Sequence, residues 1–192
     1  MVSKETVIST TWTGLTPIMF DPYGGDNTKE VPINRKMYLD GKMLVIPSAN
    51  ISSFLSAENT PSICKRFMDS REYKRMAAAY LSNISIEPYE IPILRDGKAV
   101  QFGEFIDDND AVSRMYVDRR VARLAKGIPN PKVRPVLPLP WSIEFQMRIF
   151  PNEEMDIDQL CDLVRRGGVS IGLGTFRGVF GKFKVTKWDL GG

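Results

Sequence analysis

A run of glycines directly after an amphipathic helical pattern constrains this chain more than any other feature. Six of the fifteen glycines in its 192 residues fall between Gly167 and Phe183, at Gly167, Gly168, Gly172, Gly174, Gly178 and Gly181. Glycine takes positive φ without steric cost and has no Cβ, so such a run marks a turn where backbone passes close to another group. Backbone N–H groups converging in a turn of this kind make a concavity for anions, phosphate above all. Arg177, Lys182, Lys184 and Lys187 add positive charge beside it. A dinucleotide-binding GxGxxG follows a strand and opens a helix, whereas here the helix comes first, which argues against that use. The other reading of the segment is a close-packed turn under a sheet, since helix-cap and bulge glycines are common.

A hydrophobic content of 43% over 192 residues is enough for one core, and residues 1–192 read as a single domain in which 56–135 form an insertion. No apolar run approaches the ~20 residues that span a bilayer, and Met1 to Glu5 lead into an alternating strand pattern rather than a signal peptide. The expectation is a soluble, cytoplasmic protein with no membrane partner. Cys64 and Cys161 stand apart from each other and from any CxxC, and read as buried thiols. The chain has no histidine, which removes Ser-His-Asp and Cys-His nucleophiles, HExxH zinc sites and histidine general bases. No catalytic residue, cofactor or metal site is expected. Asp107, Asp108 and Asp110 are a candidate Mg²⁺ set, but a carboxylate run on one loop with no ligand elsewhere reads as a turn.

Net charge is only +3, so distribution matters more than total. Arg114, Arg119, Arg120, Arg123, Lys126, Lys132 and Arg134 face a single Asp118, while Glu104 to Asp110 is acidic. The basic stretch alternates and turns near Gly127 to Pro131, which predicts an extended hairpin over 112–136. Tyr116 among these cations permits base stacking with phosphate pairing on a single strand; a merely solvated hairpin is the other reading. Lys65, Arg66, Arg71, Lys74 and Arg75 read as the solvated side of a helix.

The remaining chain supplies the frame. Glu5 to Thr13 alternates as a first strand; Asp40-Gly41 turns a hairpin between Met37–Leu39 and Met43–Ile46. Ser48 caps a short helix with Ile51, Phe54 and Leu55 inside, and a second helix runs from Pro61 towards Leu81. Ile84 to Leu94, broken by Pro88 and Pro92, reads as an edge or bulged strand, and Asp96-Gly97 as another hairpin turn. Trp141 to Phe150 alternates as the firmest strand, with Trp141, Ile143, Phe145, Met147 and Ile149 on one face. Asp156 and Gln159 resemble a capping box before Ile157, Leu160, Cys161 and Val164, with Gly167 as the C-terminal cap. Val179 to Trp188 closes as a last strand interrupted at Gly181, and of Phe176, Phe180, Phe183 and Trp188 only Phe176 is expected to be exposed. The order is α+β: a ferredoxin-like or RRM-like βαββαβ core with a large insertion and an extended basic hairpin.

Helix, Gly167-Gly168, Ile171-Gly172-Leu173-Gly174, Arg177 and Phe180-Gly181-Lys182-Phe183 together resemble the C-terminal glycine-rich loop of the RAMP superfamily of CRISPR-associated RNA-binding proteins. The match is similar in more detail to short, solitary RAMP-like proteins of temperate phages, which end in a pattern like IGLGDxRPxFGRF. Thr16 to Phe20, the Tyr38 to Ser48 hairpin and Arg134-Pro135 before Trp141 extend the resemblance to about two thirds of the chain. Thr175 or Phe176, and Gly178, stand where that pattern has Asp and Pro, so roles of those side chains do not carry over.

The resemblance implies a non-enzymatic, phage-derived binder of single-stranded nucleic acid, with RNA favoured over DNA. Gly172, Gly174, Phe176, Arg177, Gly178 and Lys182 of the loop would act with Arg114, Tyr116, Arg119, Arg120, Arg123, Lys126, Lys132 and Arg134 of the hairpin. It also implies homo-oligomers or filaments along a strand, and CRISPR effector subunits as partners. From a different class, the chain reads as a protein-interaction module mimicking a CRISPR backbone subunit, or as a recombination-associated single-stranded DNA binder.

Overall fold

The computed structural model describes residues 2–22, 31–105, 114–123 and 129–191. Its main sheet is antiparallel, with the strand order β11-β1-β10-β6-β4-β3. These are β1 (Thr6–Gly14), β3 (Leu39–Asp40), β4 (Met43–Pro47), β6 (Glu90–Arg95), β10 (Ser142–Ile149) and β11 (Phe183–Gly191). β5 (Ile84–Glu87) also pairs with β10, and β7 (Lys98–Ala99) with β6. Helices α1 (Ser48–Ser56), α2 (Ile63–Phe67) and α3 (Tyr73–Asn83) cross from the first half of the sheet to β5, and α4 (Ile157–Ser170) crosses from β10 to β11. This is an α+β fold with the ferredoxin-like/RRM-like βαββαβ order.

The period-two pattern sets which face is buried. Ile8, Thr10 and Trp12 of β1 and Ile143, Phe145, Met147 and Ile149 of β10 point into the core, while Glu144 and Gln146 are exposed. Trp12 stacks parallel on Phe183 with centroids 4.3 Å apart, and Phe54 and Phe145 meet it edge-on. Asp156 caps α4 by accepting the Gln159 N–H at 2.8 Å. No helix among the described residues is long and apolar enough to cross a membrane.

Several local expectations are corrected. Ser48 is inside α1, where its N–H donates to the Tyr89 carbonyl, and makes no side-chain cap. The helix expected over 61–81 divides into α2, capped by Ser62, and α3. At the break Asp69 takes the Arg71 N–H on its carboxylate and the Glu72 and Tyr73 N–H groups on its carbonyl, local bonds that compete with continued helix. The first hairpin turns through Gly41 and Lys42, because Asp40 pairs with Met43; Asp96-Gly97 turns as expected.

Ile84 to Leu94 is a broken strand, as the prolines suggest: β5 has β10 as its partner, the chain leaves β10 around Pro88, and β6 lies between β10 and β4. β5 pairs with Gln146 to Ile149 of β10, and β6 pairs with β10 only from Ile93 onward. Pro92 therefore lies where β6 has left β10, so its missing N–H interrupts no bond on that side.

A second sheet, ordered β2-β9-β8, carries the basic hairpin of β8 (Tyr116–Arg123) and β9 (Pro129–Leu137). Pro129, Asn130 and Pro131, expected in its tip, are instead paired with Arg123, Ala122 and Val121. β2 (Ile18–Met19) pairs with Leu137 and Val136 directly after β1 leaves the main sheet. The sheet's own core is small: Met19, Val136 and Phe180, with Tyr116 packed against them.

Candidate nucleic-acid interface

Gly167 is not a helix cap. α4 runs through Gly167 and Gly168 to Ser170, and Gly172 at φ +77 is the left-handed residue that follows, its N–H bonding the Gly167 carbonyl. A Cβ on Gly167 would lie 2.4 Å from Ile63 Cγ2, and one on Gly168 would lie 2.5 Å from the Phe183 carbonyl oxygen. Both glycines let α4 settle closely on α1, α2 and the start of β11.

The loop's backbone donors also turn inward. Thr175 N–H donates to the Met19 carbonyl, Gly181 to Pro17, Leu173 to Gly181, Gly178 to Ile171, and Lys182 to Thr16 Oγ1. A Cβ on Gly174 would stand 2.4 Å from the Met19 carbonyl oxygen, and one on Gly181 would stand 1.9 Å from that of Leu173. The close approach that glycine permits here is to the chain's own backbone. These five amides are engaged within the chain and are not part of the anion cradle expected from the sequence. Val179 to Lys182 belong to this loop, and β11 begins only at Phe183.

The loop presents Phe176. At φ +55 and 46% exposed, it projects from the apex, while Phe180 and Phe183 are buried and Trp188 is partly buried against the core. This is the division that alternation predicts. Arg120 of β8 lies over both Phe176 and Phe180, its guanidinium carbon 5.4 Å and 5.2 Å from the ring centroids. Segments far apart in sequence thus meet in one cation–aromatic surface.

Arg120 is also paired with Asp118, Nε and Nη2 donating to the two carboxylate oxygens at 2.6 and 2.5 Å. That hydrogen bond raises its pKa further. On a strand, residues i and i+2 share a face, so the sequence carried the signal for this pair, although Asp118 was weighed only as a charge.

The hairpin's cations divide between its two faces. Arg120 pairs across the strands with Lys132 and shares the loop-facing side with Asp118, Arg134 and Tyr116. Arg134 is buried and donates from Nε to Asp21 at 2.8 Å. Tyr116 is half-buried against the Met19–Val136–Phe180 cluster, and burial raises its pKa. Arg119 lies on the opposite face, exposed beside Val117, Val133 and Lys36, whose Nζ bonds the Val133 carbonyl. Arg114 is exposed at the foot of β8 near Lys42 and Phe102. Arg123 is placed as a strand residue only, and Lys126 lies outside the described residues.

Arg177 is partly buried, donating from Nε to the Gly174 carbonyl at 3.2 Å and from Nη1 to Pro61 at 3.0 Å, and burial lowers its pKa. It clips the loop to the start of α2. Lys182 is half-exposed, and Gly178, φ +89, is open to solvent. The contacts of Asp21 and Lys36 with β9 have no local signal in the sequence.

The open face of the main sheet has a different character. Ser9, Thr11, Glu87, Glu144, Gln146 and Lys187 line it, with Tyr89 at one side. Arg148 there is held by Glu5 and Glu87. RNA-recognition motifs stack bases on aromatics at the centre of this face, where this chain has hydroxyls, an amide and a carboxylate. Among the described residues no three His, Cys, Asp or Glu side chains come together to hold a metal; Asp107, Asp108 and Asp110 fall outside them.

No family model matches the chain, and no curated protein matches it. Among solved structures it is similar to a chain of the Type III-B Cmr-beta complex bound to cognate target RNA, at 14% identity with a TM-score of 0.59. The match covers 97% of this chain and 61% of that one. The likeness is one of fold.

Proposed function

We propose that the chain is a non-enzymatic binder of single-stranded RNA. The observation that carries this reading is the convergence of Arg120 with Phe176 over Phe180. An exposed ring takes a base face, and a guanidinium beside it takes the adjoining phosphate. Lys132, opposite Arg120, adds charge along the same face. The fold similarity to a chain from an RNA-bound complex supports it. Copies aligned along a strand, and contact with CRISPR effector subunits, belong to the same reading, as does an origin in a phage.

The test is a fluorescence-anisotropy titration of labelled single-stranded RNA and DNA at low and moderate salt. RNA binding that weakens steeply with salt, and that Phe176→Ala weakens by about 1–3 kcal/mol, is expected. Absence of binding to both polymers overturns the reading. Tighter binding to DNA moves it to the recombination-associated alternative. Pairing of Arg120 and Arg134 with carboxylates favours the protein-interaction module as the second reading, whose complex with a protein partner is little weakened by salt.

A further inference from the structure

The fork of Arg120 is occupied. One edge of a guanidinium, Nε with one Nη, matches two oxygens of a carboxylate or a phosphate alike. In this chain both donors of that edge meet Asp118. Asp118 is itself largely covered, its side chain 12% exposed against 40% for Arg120, so the carboxylate is seated within the hairpin while the guanidinium reaches the surface. Arg134, directly across the strands from Asp118, pairs with Asp21 instead. The groups facing Asp118 on this side of the hairpin are therefore Arg120, Arg134, Lys132 and Tyr116. Arg120 is the one among them that also touches the exposed Phe176.

We infer that Asp118 acts as an internal stand-in for a phosphodiester, holding the Arg120 fork above Phe176 in the orientation a strand requires and yielding it when a phosphate arrives. This rests on the RNA-binding reading above and adds an internal competitor to it. The base of the incoming nucleotide lies against Phe176, its phosphate takes the two N–H donors, and the carboxylate is left to water and Lys132. The device sets a ceiling on affinity. A phosphate that takes this Nε–Nη2 edge must displace a preformed charge-assisted pair, so a polymer anchored elsewhere on the surface occupies it more readily than an isolated anion.

The test is a double-mutant cycle on RNA affinity with wild type, Asp118→Asn, Arg120→Ala and the double variant, using one labelled single-stranded RNA. Asn keeps the shape of Asp and removes the charge. Asp118→Asn is expected to bind about tenfold tighter, the scale of one charge-assisted hydrogen bond. That gain is expected to vanish in the Arg120→Ala background. A gain that persists without Arg120 reduces Asp118 to general repulsion of a polyanion and overturns the inference. Weaker binding by Asp118→Asn, with an unchanged melting temperature, makes Asp118 a positioning residue only and overturns it too. Asp118→Ser, with the same expected direction, replaces Asn if that variant melts early. Wild type that binds while Asp118→Asn binds equally well sinks this inference and leaves the RNA reading standing. Failure of every variant to bind sinks both.

Discussion

The glycine loop is flanked by two joints held by different physics. On one side, α4 and β11 meet through Gly167, Gly168 and Phe183, where helix and strand approach so closely that a Cβ would overlap the neighbour. On the other, the β8–β9 hairpin rests on the loop through Arg120, Phe180 and Tyr116 and is tied to the β2 segment by backbone pairing and the Asp21–Arg134 ion pair, while Asp118–Arg120 is a pair within β8. The first joint is a matter of shape and buried area; the second is a matter of charge with a few apolar side chains. A platform anchored by sterics and covered by an arm held with ion pairs keeps its form while the arm's contacts remain exchangeable for those of a ligand.

The sharpest way to break this comparison is at Phe183, fully buried on Trp12. Phe183→Ala is expected to cost about 3–5 kcal/mol in global unfolding by denaturant. Gly181→Ala follows at about 2–4 kcal/mol, combining a left-handed backbone with overlap of the Leu173 carbonyl. Equal stability of either variant would show that the loop joint relaxes freely. On the charge side, Arg134→Ala removes the partner of Asp21 and is expected to cost about 1–3 kcal/mol. That loss should concentrate in the hydrogen exchange of β8 and β9, with β1 and β10 unaffected. Uniform acceleration would mean the two sheets unfold as one unit.

The smallest effect is in alkali. Burial pushes the Cys64 thiol from about 9 up to about 12, so the folded chain keeps a proton that the unfolded chain gives up. That stability is fully present below about pH 9 and is lost as pH rises through about 12, about 1 kcal/mol by pH 10. Cys64→Ala should show a shallower alkaline loss than wild type. With no histidine, stability should be flat between pH 6 and 8. A comparable alkaline slope in both proteins would remove Cys64 from the account.

Much of the frame was legible in the sequence because it depends on local alternation. β1, β10 and α4 follow from period two and period 3.6, and Asp96-Gly97 from turn chemistry. What escaped depends on where segments meet. Gly167 reads as a cap by position, yet its reason is Ile63 and Phe54, a hundred residues earlier in the chain. The loop's positive φ values were legible, but the direction of its amides was not, because the acceptors belong to Pro17, Met19 and Ile171. The basic stretch was legible as a hairpin, whereas its division into two faces needed the register. That register places Arg120 on the loop and Arg119 away from it.

This division gives the most direct test of the central claim, that the loop-facing side of the hairpin together with Phe176 forms the binding surface. The measurement is single-stranded RNA affinity as a function of salt for wild type, Arg120→Ala and Arg119→Ala. The account predicts that Arg120→Ala lowers the salt slope by about 0.7, one phosphate contact on a single strand, with a clear loss of affinity, while Arg119→Ala changes little. Equal losses for both, or a larger one for Arg119→Ala, would contradict it and place the strand on the other face of the hairpin.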